Sequence, residues 1–253
     1  MNQGKILDAH CSIGWGRIIQ FTPEMLLDQM DRAGITQAVI GPIHEHITVF
    51  NRQGNEMILD AVHKYPDRLI GFATVNPWYG VQAVEELTRA LDSGLRGLTL
   101  NSALQGYFIH DELVYPVIEV AAAYQIPVYF HTATPIYALP FQMAELAQNF
   151  PSVNFIMGHM AAADFWTDAV VAAKQSQNIY LETSFRSGVE TIRGALRMLG
   201  AYRIVFGSSV PESDIDVELG KIKLLELPPD EEKLVLGENM RFLLNASNRG
   251  IQP

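Results

Sequence analysis

Short runs rich in Val, Ile, Leu and Phe alternate with helical patterns along the whole chain. The runs are Lys5–His10, Gln37–Ile40, Leu69–Val75, Gly97–Leu100, Pro127–His131, Asn154–Met157, Ile179–Glu182 and Ile204–Phe206. Their starts lie 32, 32, 28, 30, 27, 25 and 25 residues apart. Each interval fits one strand, one crossover helix and two short loops. Within the runs polar residues hardly alternate with apolar ones, the pattern of parallel strands buried on both faces.

The intervening segments carry helix signals. Thr22-Pro23-Glu24 reads as an N-cap followed by proline in the first turn, and Gly34 as the stop. Further helices are expected over Val81–Ser93, Pro116–Tyr124, Asp164–Gln175, Val189–Leu199 and Val217–Leu225. An extra C-terminal helix is expected over Asp230–Leu244, acidic at its start as the helix dipole prefers. Eight βα units without a low-complexity linker predict an α/β fold, a single (β/α)₈ barrel domain over residues 1–253. An open doubly wound sheet is the alternative. It calls for a Gly-rich turn after the first strand, which Gly14-Trp15-Gly16 matches poorly.

Composition narrows the class. Of 253 residues 48% are hydrophobic and 18% charged, which excludes a disordered chain. No stretch approaches the roughly 18 uncharged apolar residues of a spanning helix. A net charge of −10 argues against nucleic-acid and anionic-membrane partners and leaves a small-molecule substrate. Cys11 is the single cysteine, so no internal disulfide forms. It has no base or cation beside it in sequence and reads as a small buried hydrophobe. With no apolar core after Met1-Asn2-Gln3-Gly4-Lys5, a cytoplasmic location is expected.

In such barrels chemistry gathers at the C-terminal ends of the strands. Here those ends carry Asp8-Ala9-His10-Cys11-Ser12, Thr99-Leu100-Asn101, His131-Thr132, Gly158-His159-Met160, Glu182-Thr183-Ser184 and Gly207-Ser208-Ser209. Three histidines at equivalent points of a barrel predict one shared site. His10 and Ser12 lie two apart on a strand and share a face, while Cys11 points away.

These segments, with Gly71-Phe72-Ala73-Thr74-Val75-Asn76-Pro77, Gly94-Leu95-Arg96-Gly97-Leu98, Gln125-Ile126-Pro127 and Leu236-Gly237-Glu238-Asn239, give the chain its resemblance to a family. From Ile6 to about Asn245 it resembles the TIM-barrel metal-dependent amidohydrolases, in the branch of aminocarboxymuconate-semialdehyde decarboxylase (the amidohydrolase 2 type). The resemblance implies a divalent metal, held by two histidines of a DAHxH motif, a strand-five histidine and the aspartate of a strand-eight GSDxP motif. His10 and His131 match two of these ligands, and His159 matches a strand-six histidine that ligates or polarises. Ser12 stands at the second histidine, Ser209 at the aspartate, and Asn101 where the family often has histidine.

The implied catalytic residues are His159 and Glu182, with His10 and His131 as the metal pair. Ser12, Asn101, Arg186 and Ser209 would face the substrate. Zinc is the implied cofactor, and weak or absent binding is expected because serine hydroxyls are poor zinc ligands. Glu182, Glu212 and Asp214 are rim carboxylates able to replace the missing general base. His44 and His46 are expected in a solvated loop after strand two, and Arg17, like Arg186, could fork onto a substrate carboxylate. The chemistry expected is hydrolysis or non-oxidative decarboxylation of a small, carboxylated substrate. A barrel that has lost catalysis and binds a ligand or partner, and a metal-free acid–base enzyme, remain as alternatives. A homo-oligomer is compatible with the chain.

Overall fold

The computed structural model describes residues 5–16, 19–132, 136–185 and 188–246. Eight parallel strands run in chain order: β1 (Ile6–Trp15), β2 (Ile35–Pro42), β3 (Leu69–Gly71), β4 (Leu98–Leu100), β5 (Val128–Phe130), β6 (Phe155–Met157), β7 (Ile179–Glu182) and β8 (Ile204–Val205). A two-residue arm, Gln20–Phe21, pairs antiparallel with the end of β1. Two seams close the barrel. Between β3 and β4, Ala73 bridges Leu98, and Thr99 N donates to Ala73 O at 2.7 Å. Between β8 and β1, Cys11 bridges Val210, Ala9 N donates to Phe206 O at 2.9 Å, and Ser12 N donates to Val210 O at 2.8 Å.

The helices follow their local signals. Thr22 caps Pro23–Ala33 by accepting from Met25 N at 3.3 Å, and Gly34 ends that helix at φ +74°. Helices Asn51–Lys64 and Pro140–Asn149 fill two further intervals, one followed by Tyr65-Pro66 and the other opened by proline in its first turn. His44 and His46, expected in a loop, belong to a short helix, His44–Thr48. The C-terminal helix is broken where one continuous helix was expected. It runs over Pro229–Lys233, a wider turn at Leu234–Glu238, and Asn239–Ala246. The break lies where Gly237 packs on β1: a Cβ there would stand 3.0 Å from Lys5 O and 3.1 Å from Leu7 N.

The hydrophobic core has two layers. Between strands and helices lies the larger one, which includes Cys11 and Ile13 from β1. Inside the barrel lies a smaller one built from Leu7, Ala9, Ile70, Phe72, Tyr129 and Ile156, among others. Met240, Leu243 and Leu244 of the last helix join it and plug the N-terminal end of the barrel, where Arg96 also holds Leu244 O at 3.0 Å. Among the described residues no helix is long and apolar enough to cross a membrane.

β1 changes its inward parity. Leu7 and Ala9 face the inner layer, yet Cys11 and Ile13 face the outer one. The pairing explains this: Asp8 opposes Ala38 while Cys11 opposes Ile40, so β1 holds one extra residue there. Such a bulge switches which residues face inward from that point on. It turns His10 toward the barrel axis immediately above Ala9.

A candidate active site of converging histidines

His10, His131 and His159 stand together at the C-terminal mouth, with ligand nitrogens all within 4.8 Å of one another. Each is positioned by a different device. His10 is aimed inward by the bulge and stacks on Tyr129, ring centroids 4.3 Å apart. His131 continues β5, its N–H donating to Leu100 O at 2.9 Å. His159 opens a turn of three left-handed residues, His159, Met160 and Ala161, at φ +58°, +49° and +58°. Left-handed backbone costs about 1–2 kcal/mol per non-glycine residue, so neighbouring contacts must hold the turn. Glu182 accepts from His159 N at 3.0 Å. Thr132 Oγ1 accepts from Ala161 N at 3.1 Å and donates to Gly158 O.

Glu182 lies behind His159 in the barrel wall, fully buried. It accepts from Tyr129 OH at 2.9 Å, Ser184 Oγ at 2.9 Å, His159 N and Ser184 N. Burial pushes its pKa above the usual carboxylate value, and these four donors oppose that push. Because Ser184 Oγ donates to Glu182, it accepts from His159 Nδ1 at 2.9 Å. His159 Nδ1 therefore carries a proton, and its Nε2 stands 3.4 Å from His131 Nδ1. His131 Nε2 is buried with no hydrogen-bond partner.

Burial and the neighbouring imidazoles hold His10 well below the ordinary histidine pKa, and push His131 down to about 3. Both are neutral at pH 7, the form that ligates a metal. Three imidazoles around one point, one with an unpartnered buried nitrogen, fit a divalent transition metal with open positions.

The other sequence candidates divide. Ser209 is buried beside His10, with its N donating to His10 O at 2.9 Å and its Oγ unpartnered. Ser12 lines a cavity of about 10 Å³, room for a single water, with His44, His131, Glu212 and apolar neighbours. Glu212 Oε1 meets His44 Nε2 at 2.6 Å. The Asn101 side chain accepts from Leu104 N at 3.1 Å and caps the short helix Ser102–Gln105. Asp214 likewise caps Ile215–Lys223. Arg17 and Arg186 lie outside the described residues. Cys11 is buried in the outer layer, 3.6 Å from Ser208 Oγ. Asp8 ties β1 to β8, accepting from His10 N at 3.1 Å and Ser208 N at 2.9 Å, and burial pushes its pKa up to about 6. Tyr129 is not singled out by the sequence, and Thr132 and Ser184 stand there only as strand-end residues without a role. Tyr129 stands two residues before His131 and Ser184 two after Glu182, and that spacing was the available signal.

Imidazoles converging at the C-terminal mouth of a (β/α)₈ barrel stand where such barrels carry their functional sites. The chain matches the amidohydrolase family over residues 8–245 and belongs to it. It is 24% identical over 217 residues to a gamma-resorcylate decarboxylase of Polaromonas sp., covering 65% of this chain and 67% of that protein. Among solved structures it is similar to a 2,6-dihydroxybenzoate decarboxylase from Rhizobium (TM-score 0.78, 18% identity, 96% of this chain and 99% of that one). It is also similar to a 5-carboxyvanillate decarboxylase from Novosphingobium aromaticivorans (TM-score 0.79, 16% identity, 96% and 97%). The latter was solved with manganese and 4-hydroxy-3-methoxy-5-nitrobenzoic acid. At these identities the structural likeness concerns the fold.

Proposed function

We propose that this protein is a cytoplasmic, metal-dependent, non-oxidative decarboxylase of small aromatic carboxylic acids, with one catalytic domain over residues 1–253. The observation that carries the reading is the convergence of three imidazoles at the C-terminal mouth, two of them, His10 and His131, held neutral at pH 7. The activities of the similar proteins named above support decarboxylation over hydrolysis.

His10, His131 and His159 would hold the ion. Three nitrogen donors favour zinc over manganese, which prefers oxygen ligands. When bound, a divalent ion polarises the oxygens of the acid. Glu182 and Ser184 keep His159 in one tautomer and orientation. Ser12 and Ser209 offer hydroxyls to the substrate, and Arg186 a cation for its carboxylate. In the reaction the ring carbon bearing the carboxylate gains one proton. The electrons of the C–C bond return to the ring as carbon dioxide leaves.

The test is to supply the purified protein with zinc, and separately with manganese, and to follow ortho-hydroxybenzoates by chromatography. Loss of carboxylate that disappears in His131→Ala is the expected result. Hydrolysis of an amide or ester analogue, with no decarboxylation, would overturn the assignment. The substitutions at Ser12 and Ser209 favour one second reading, a barrel that binds such an acid without turning it over. Its signature is binding of the acid with no product.

A further inference from the structure

Ser209 leaves strand eight without the carboxylate that the family motif carries, and among the described residues few carboxylates stand near the histidines. Glu182 is committed to four donors behind His159. Asp8 is anchored in the β8–β1 seam by Oδ1, which accepts from both His10 N and Ser208 N, and Asp214 caps a helix N-terminus. Glu212 differs from all three. A turn closed by Glu212 N donating to Ser209 O at 2.8 Å places it over the mouth. Its side chain is partly buried and lines the water-sized cavity together with Ser12, His44 and His131. Among the described residues it is the one carboxylate in that lining. His44, on the helix after β2, fixes it at 2.6 Å. The hydrogen bond to His44 is the main cause that holds its pKa below the usual carboxylate value, so it is an anion at the edge of the cavity that His131 also lines.

We propose that Glu212, held by His44, is the carboxylate of this metal site. It supplies from the loop after strand eight the negative charge that residue 209 does not provide. The inference rests on the functional reading above, because it concerns affinity for the divalent ion. Three imidazoles add no negative charge of their own to offset that of an ion in the mouth, and a nearby anion lowers the cost of holding it there. Ser209 itself sits at φ +56°, a conformation that aspartate tolerates better than most residues, so the missing charge can be put back on strand eight without a change of backbone.

The experiment is zinc titration by calorimetry on wild-type protein, Glu212→Gln, and the double variant Glu212→Gln with Ser209→Asp. Glutamine keeps the length and the contact with His44 and removes the charge. Glu212→Gln should bind zinc at least about tenfold more weakly, or about 1.4 kcal/mol. The double variant should return to within about threefold of wild type, which a fold-damaging role for Glu212 would not allow. Glu212→Gln that binds as tightly as wild type overturns the proposal, as does a loss that Ser209→Asp leaves unrepaired. Wild-type protein that binds neither zinc nor manganese overturns the functional reading instead, and is told apart because the parent itself fails.

Discussion

The two halves of the barrel mouth are built on different terms. On the β5–β7 side, Tyr129, His159, Glu182 and Ser184 form a closed network in which the buried carboxylate has four donors. On the β8–β1 side the residues are short. Ser209 Oγ and Asp8 Oδ2 are buried without partners, and Ser12 borders a space of one water. One half is specified by mutual hydrogen bonds. The other keeps the backbone seam but lacks the side chains that would complete an ion's surroundings. Position and charge are thus separable here: three imidazoles can be aimed at one point while the anion comes from a neighbouring loop.

The largest test of this contrast is on the closed side. Glu182→Ala should cost about 3–5 kcal/mol of stability, because it strands buried donors and opens a cavity. Denaturant unfolding measures it, and a loss under about 1 kcal/mol would show that the network does not hold that half together. On the open side, Ser12→His with Ser209→Asp adds an imidazole and a carboxylate around His10 and His131. Zinc binding should tighten at least about a hundredfold, on the order of 3 kcal/mol, with each single change giving less. Calorimetry on the four proteins decides it. A folded double variant no better than the parent would mean that neighbouring groups already fill the space.

The smallest effect concerns the tether between loops. Glu212 raises the pKa of His44, so this contribution is present below about pH 6.5 and is lost as pH rises through the folded value. His44 lowers the pKa of Glu212, so the contribution also needs a pH above about 4.5 and is lost as pH falls through its folded value. Both groups are partly exposed, which keeps the sum below about 1 kcal/mol. The melting-temperature gap between wild type and Glu212→Gln should be widest between about pH 4.5 and 6.5 and shrink by pH 9. A gap that stays flat with pH would leave the tether without an ionic part.

Much of the fold was legible along the chain. Ile179–Glu182 and Val189–Leu199 form the strand and helix that their patterns predict, and Thr22 and Gly34 mark both ends of their helix. Apolar periodicity, proline in the first turn and glycine at a helix end act within a few residues, so sequence reveals them. The gathering of histidines at strand ends was legible too, since strand polarity puts all such ends on one face. The same rules missed that the chain after β2 turns helical at His44, because no capping side chain announces it.

What sequence alone determined was the alternation of elements, the barrel, and which strand ends carry imidazole, serine or carboxylate. Tertiary structure decided how those groups are aimed. His10 faces inward because β1 takes an extra residue against β2, a register that alternation within β1 cannot reveal. His159 sits in a left-handed turn without a glycine at those three positions, stabilised by Glu182 and Thr132, 23 and 27 residues away in sequence. Glu212 reaches the mouth because His44, 168 residues earlier, receives it. Local sterics and periodicity are properties of a segment. Parity, strain and charge placement belong to contacts between distant segments, and exist only once the barrel has closed.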